Sequence, residues 1–123
     1  MATAPKTPSM PNDTLTNYLI SMARTVESTV QRALGVMSGT APAESEKIVS
    51  EIFLLEPRIN EMEMVIDEHS VKLLRDGRLD EEEIRQVVAT LKITNDLERM
   101  GDMAVNLAER LISLAEMPRV ALV

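Results

Sequence analysis

The chain has 123 residues, enough for one hydrophobic core, and 13 Lys and Arg against 20 Asp and Glu give a formal net charge of −7. That balance argues against nucleic acid, whose binding needs clustered Lys and Arg, and favours cations or basic protein surfaces as partners. With no Cys, disulfides, thiolate zinc sites and cysteine nucleophiles are excluded together.

No apolar run approaches the ~18–20 residues of a membrane span, and the first residues lack a signal-peptide apolar region. A cytoplasmic location without membrane insertion is therefore expected. Hydrophobic residues make up 45% of the chain but aromatics only 2%, namely Tyr18 and Phe53. A core of Leu, Ile, Val, Ala and Met with few runs of strand formers reads as all-α. The nine Met are read as gap-filling residues in helix packing.

Residues 1–12, MATAPKTPSMPN, read as an irregular N-terminal leader rich in Pro and small polar residues. Asp13 or Thr14 can cap a first helix, whose apolar face is Leu15, Tyr18, Leu19, Met22, Val26, Val30, Ala33 and Met37. Gly39 and Pro42 then close it. The second helix is expected from about Ala43 to Arg75, with Ile48, Ile52, Leu55, Ile59, Met62, Ile66 and Leu73 as its core stripe. Pro57 lies inside it and removes a hydrogen bond, which places a kink or break at Glu56-Pro57.

Asp76-Gly77-Arg78-Leu79-Asp80 is a tight connection, with Gly77 in the left-handed cap and Asp80 as the next N-cap. Glu81, Glu82 and Glu83 suit the positive end of the third helix dipole. That helix runs to about Glu116. It packs first through Ile84, Val87, Val88 and Leu91, then through a seam of Ile93, Leu97, Met100, Ala104, Leu107 and Leu111 at alternating spacings of four and three. Residues 117–123 form a C-terminal tail. Two short connections imply antiparallel neighbours, so residues 13–116 should form an up-down-up antiparallel three-helix bundle. Helices this long leave apolar surface for a second bundle, and a homodimer is expected.

Beside the third-helix seam run Glu98 and Asp102, four apart, with Asn95, Asn106 and Glu109 on the same side. At ~100° per residue these five span a sector of about 80°. The second helix repeats the pattern in Glu63 and Asp67, extended by Glu56 and Asn60. A Glu-x-x-x-Asp pair alone is common on a solvated helix face. Two such pairs on antiparallel neighbours could bring four carboxylates to one groove, with Arg99 or Lys92 at hand to relieve their repulsion. Oxygen-only ligands suit hard divalent cations such as Mg, Ca, Mn or Fe; with no His in the stripe, Zn fits less well.

The segment LKITNDLERMGDMAVNLAERL closely resembles the signature segment of the PhoU family, and LLEPRINEMEMVIDEHSVKLL resembles that family's second-helix pattern. The likeness covers about residues 14–112. It implies a three-helix bundle, usually present twice in tandem, so that this chain would be a single-repeat, half-length member. It also implies a non-enzymatic negative regulator of phosphate uptake and phosphate-starvation signalling, with a phosphate ABC transporter and a sensor kinase as partners. By position, the family's metal-carrying acidic motifs fall on Glu63 and Asp67 and on Glu98 and Asp102, with an amide at Asn106.

Three other readings compete with that one. His69, with Lys72 three residues on, could belong to a histidine phosphotransfer module, although Leu73 and Leu74 stand where such modules carry small residues. A His packed at the edge of the core is the plainer reading. Di-iron chemistry of the ferritin type needs Glu-x-x-His pairs, and Ile66 stands three residues before His69. A generic helical interaction domain without metal is the remaining alternative. No nucleophile–base constellation or Gly-rich phosphate loop is present, so no enzymatic activity is expected.

Overall fold

The computed structural model describes residues 12–39 and 41–116, the side chains of 115 and 116 excepted. The N-terminal leader through residue 11 and the tail from 117 lie outside the described residues. Three helices follow one another: α1 Asp13–Met37, α2 Pro42–Asp76 and α3 Glu81–Glu116. Each packs on the other two, the closed triangle of a three-helix bundle.

The helix ends follow from local chemistry. Pro42 is at the first turn of α2, where its missing N–H costs nothing, rather than serving only to stop α1. Gly77 ends α2 with φ of +66°, the left-handed conformation that a Cβ disfavours. Asp80 then starts α3 with a reciprocal capping box. The Glu83 N–H donates to Asp80 Oδ1 at 2.8 Å, and the Asp80 N–H donates to Glu83 Oε1 at 3.0 Å.

Asn12, expected in the leader, instead anchors the start of α1. Its side chain is buried, and Nδ2 donates to the Glu83 carbonyl at 3.0 Å and to Gln86 Oε1 at 2.9 Å. The bonds tie the beginning of α1 to the beginning of α3. Those two helices therefore run parallel, with α2 antiparallel to both.

Two expectations fail on packing. The break at Glu56-Pro57 is absent, since α2 is one helix through Pro57. Pro57 is exposed, so its ring lies on the solvent side of α2 and displaces no core packing. The α3 seam is also rotated. Ile93 and Met100 are each 45% exposed, whereas Val87, Thr90, Thr94, Gly101, Ala104, Val105 and Ala108 are buried. Ile84 and Val88 are likewise exposed.

The reason for the rotation is close approach. A Cβ at Gly101 would stand 3.1 Å from Ile59 Cδ1 and 4.0 Å from Val26 Cγ2, so the axis of the bundle passes beside a residue without a side chain. Small residues at 101, 104 and 108 let α3 sit against both neighbours. Buried Thr90 and Thr94 satisfy their hydroxyls on the carbonyls four residues back, at 2.9 and 2.7 Å.

The core divides along the bundle. One half packs Leu15, Met22, Val26, Ile59, Ile66 and Val87, with no Ala among them. The other relies on Ala33, Ala104 and Ala108 with Val49, Ile52 and Val105.

Candidate functional site

Gly101, Ile59 and Val26 mark one layer of the bundle. Counting outward along antiparallel α2 and α3, Glu63 lies level with residues 97 and 98, and Glu56 level with 104 and 105. The flanks are fixed by their neighbours. Tyr18 of α1 meets His69 of α2 edge-on with ring centroids 5.8 Å apart, and Arg32 pairs with Glu51 at 2.9 Å. A shallow hollow of about 430 Å³ between the same helices is lined by Tyr18, Arg58, Glu61, Met62 and Val65. These residues define the α1-facing side of α2. Glu56, Asn60, Glu63 and Asp67 lie on its other side, towards α3.

A second hollow fixes α3. Val30, Ala33 and Leu34 of α1 face Met100, Met103, Ala104 and Leu107 of α3. Glu98, Asp102 and Glu109 are on the opposite flank, towards α2. Both acidic stripes thus border one groove, between α2 and α3. Rotation of the seam brings the core about 80° closer to the α3 stripe than the larger apolar residues suggest. Glu56, Glu63 and Glu98 are half-buried there, while Asn60, Asp67, Asn95, Asp102, Asn106 and Glu109 are exposed.

The groove holds separate acids rather than a cage. Among the described residues, no three or more His, Asp and Glu side chains come together in a way that could hold a metal ion. Nor do Glu63, Asp67, Glu98 and Asp102 have a hydrogen bond or ion pair among the described residues; Arg99 and Lys92 do not reach them. The donor chemistry suits a hard cation, but the arrangement does not preform a centre. Carboxylates left unpaired beside a core repel one another and attract any mobile cation or basic side chain.

His69 lies apart from this groove, on the α1-facing side of α2. Its Nε2 is buried and has no partner among the described residues, and the ring meets Tyr18 edge-on. A ring so placed packs the core margin and leaves Nε2 unavailable to a phosphoryl donor. The lining of the α1–α3 hollow is almost wholly apolar, and hydrophobic periodicity, which places Met100 and Leu107 in the seam, does not distinguish it from core. The signal that marks it is the run of small residues at 101, 104 and 108.

Three long helices, each packed on the other two, define an all-α three-helix bundle. The PhoU domain matches residues 19–111, and the chain belongs to the PhoU family. It is 29% identical over 100 residues to a phosphate-specific transport system accessory protein PhoU homolog of Aquifex aeolicus, a match covering 81% of this chain and 43% of that protein. With the homolog of the same description from Pseudomonas putida it shares 32% identity over 101 residues, 81% of this chain and 38% of the relative. The chain thus spans less than half the length of these relatives. No solved structure matches it.

Proposed function

We propose that this chain is a non-enzymatic regulator of phosphate transport that works by docking to other proteins, the α2–α3 groove being its contact surface for cationic groups. The observation that carries the reading is the PhoU domain over residues 19–111, whose relatives are described as phosphate transport accessory proteins. The unpaired carboxylates at Glu63, Asp67, Glu98 and Asp102 supply the recognition chemistry, since a basic side chain entering the groove relieves repulsion as it binds. The partners are a phosphate transporter and its sensor kinase on the cytoplasmic side. No helix among the described residues is long and apolar enough to cross a membrane, which agrees with contact from outside the bilayer.

Divalent cations are a second occupant of the same groove. The ion would have to draw Glu63, Asp67, Glu98, Asp102 and Asn106 together, so the expected affinity is that of a site assembled on binding. Titrations with Mg, Ca and Mn ions should raise the melting temperature, and Glu98→Gln with Asp102→Asn should abolish the gain. A gain unchanged in the double variant removes the metal from this groove.

The regulatory reading is tested in the host. Deleting the gene should derepress phosphate uptake in phosphate-replete medium, and the wild-type gene should restore repression. A deletion strain whose uptake matches its parent at every phosphate level overturns it.

A further inference from the structure

We propose that the chain's own tail, through Val120 and Leu122, docks on the apolar hollow between α1 and α3 as a displaceable cover. Leu34 of α1 and Met100, Met103, Ala104 and Leu107 of α3 enclose about 230 Å³ there. Its rim meets water, Leu34 being 52% exposed and Met103 64%. Leu107, Leu111 and Leu114 follow Met103 at spacings of four, four and three, and the four residues stay within ~80° on α3. Leu114 is 63% exposed in the last turn of the helix. An apolar line thus runs from the hollow to the point where the tail begins.

The reach matches. Back from Glu116, where α3 ends, Leu107 lies ~14 Å along the axis and Ala104 ~18 Å, at ~1.5 Å per residue. Onward from the same residue, Val120 can reach ~13 Å and Leu122 ~20 Å, at ~3.3 Å per extended residue. Folded back on α3, Val120 comes level with Leu107 and Leu122 with Ala104. In an extended segment alternate side chains share a face, which joins Val120 to Leu122. Pro118 opposes continuation of the helix and so favours a change of direction before them.

Chemistry selects the hollow over the acidic groove on the other flank of α3. Val120, Ala121, Leu122 and Val123 offer four apolar side chains in succession, which gain nothing beside Glu98, Asp102 and Glu109. Burying two of them and ordering the backbone that carries them are opposing effects of similar size. The cover is therefore one that a stronger apolar ligand displaces, and the tail sets a threshold for binding in this hollow. The inference stands on the hollow and the tail and does not depend on the phosphate-regulatory reading.

Disulfide trapping in the full chain tests it. The chain has no Cys, so an introduced pair holds its only thiols. Met103→Cys with Val123→Cys should close within one chain under oxidised glutathione. Glu109→Cys with Val123→Cys is the control, on the acidic flank and ~10 Å from Glu116 along α3 against ~20 Å for Met103. Seven residues without a preferred site have a typical end-to-end distance of about 15 Å, which favours the nearer thiol. Docking reverses that order, and the Met103 pair should close at least fivefold faster. Adding Val120→Asp to the Met103 pair should slow closure at least fivefold. The Glu109 pair closing as fast or faster, closure between chains in place of closure within one, or indifference to Val120→Asp overturns the proposal. If Met103→Cys loses helicity, Leu34→Cys with Val123→Cys repeats the test from the α1 side of the hollow.

Discussion

The two grooves beside α3 are built on the same helix and differ in nearly everything else. Towards α2 the edge of α3 presents Glu98, Asp102 and Glu109; towards α1 it presents Met100, Met103 and Leu107. Both edges flank one line of small residues, of which Gly101 is the centre. A helix that packs through Gly, Ala and Thr leaves its larger side chains on the two flanks, and those flanks become surfaces. The lesson is that α3 is bound into the core largely through small residues together with Val87 and Val105, while Ile93, Met100 and Met103 stand exposed.

The largest effect should come from disturbing that common line. Gly101→Val places two methyl groups where even one Cβ stands 3.1 Å from Ile59 Cδ1, against an Ile59 that is itself buried. Overpacking of this kind costs about 1–3 kcal/mol, and here the upper part of the range is expected. Chemical denaturation measures it. A companion Ile59→Ala should recover part of the loss, because it removes the side chain in the way. If Gly101→Val is as stable as wild type, α3 does not rest on Gly101, and the division into two grooves by a shared close contact fails.

Much of this fold is legible in the sequence, and the exception is instructive. The helix ends follow from Gly77, Asp80 and Pro42, whose backbone chemistry is local and leaves little choice. The faces of α1 and α2 follow from Met22, Val26, Ile52, Ile59 and Ile66, where large and buried coincide, whereas Tyr18 and Met37, expected on the α1 face, are exposed at its edge. On α3 they do not coincide. Ile93 and Met100 repeat with the same heptad spacing as Thr94 and Gly101, so periodicity fits both lines, and hydrophobicity chooses the wrong one. What decides is the distance between helix axes, a tertiary quantity.

The acidic groove was legible to the same depth. Its membership follows from azimuth, which the sequence contains. Whether Glu63, Asp67, Glu98 and Asp102 converge depends on axis separation and rotamer, which it does not contain.

A second, smaller prediction concerns the α2 side of the comparison. Ser70 is fully buried, and its Oγ has no hydrogen-bond partner among the described residues. An unsatisfied buried hydroxyl costs about 1–3 kcal/mol, whereas a methyl group of nearly the same size has nothing to desolvate. Ser70→Ala should therefore raise stability by about 1 kcal/mol, with the slope of the denaturation curve unchanged. Destabilisation would show that the hydroxyl is satisfied in solution and that polar atoms on this side of α2 are better matched than the structure indicates.

The smallest effect carries the most information about the acidic groove. Glu98 and Asp102 are like charges four residues apart on one helix, an arrangement that costs ~0.2–0.5 kcal/mol. Glu98→Gln removes that repulsion without changing shape. The gain should appear as a raised melting temperature at low ionic strength and should fade as salt shortens the screening length to ~10 Å near 0.1 M. Glu63, level with Glu98 across the groove and also half-buried, adds a second charge on the facing helix. If the two acids share one field, Glu63→Gln and Glu98→Gln should each stabilise, and the double variant should gain less than the sum. Strict additivity would mean that the stripes act as separate solvated edges, and the α2–α3 groove would then lose its standing as a single electrostatic surface. Coupling that vanishes in high salt would instead identify the groove as a place where an incoming cation is answered from two helices at once.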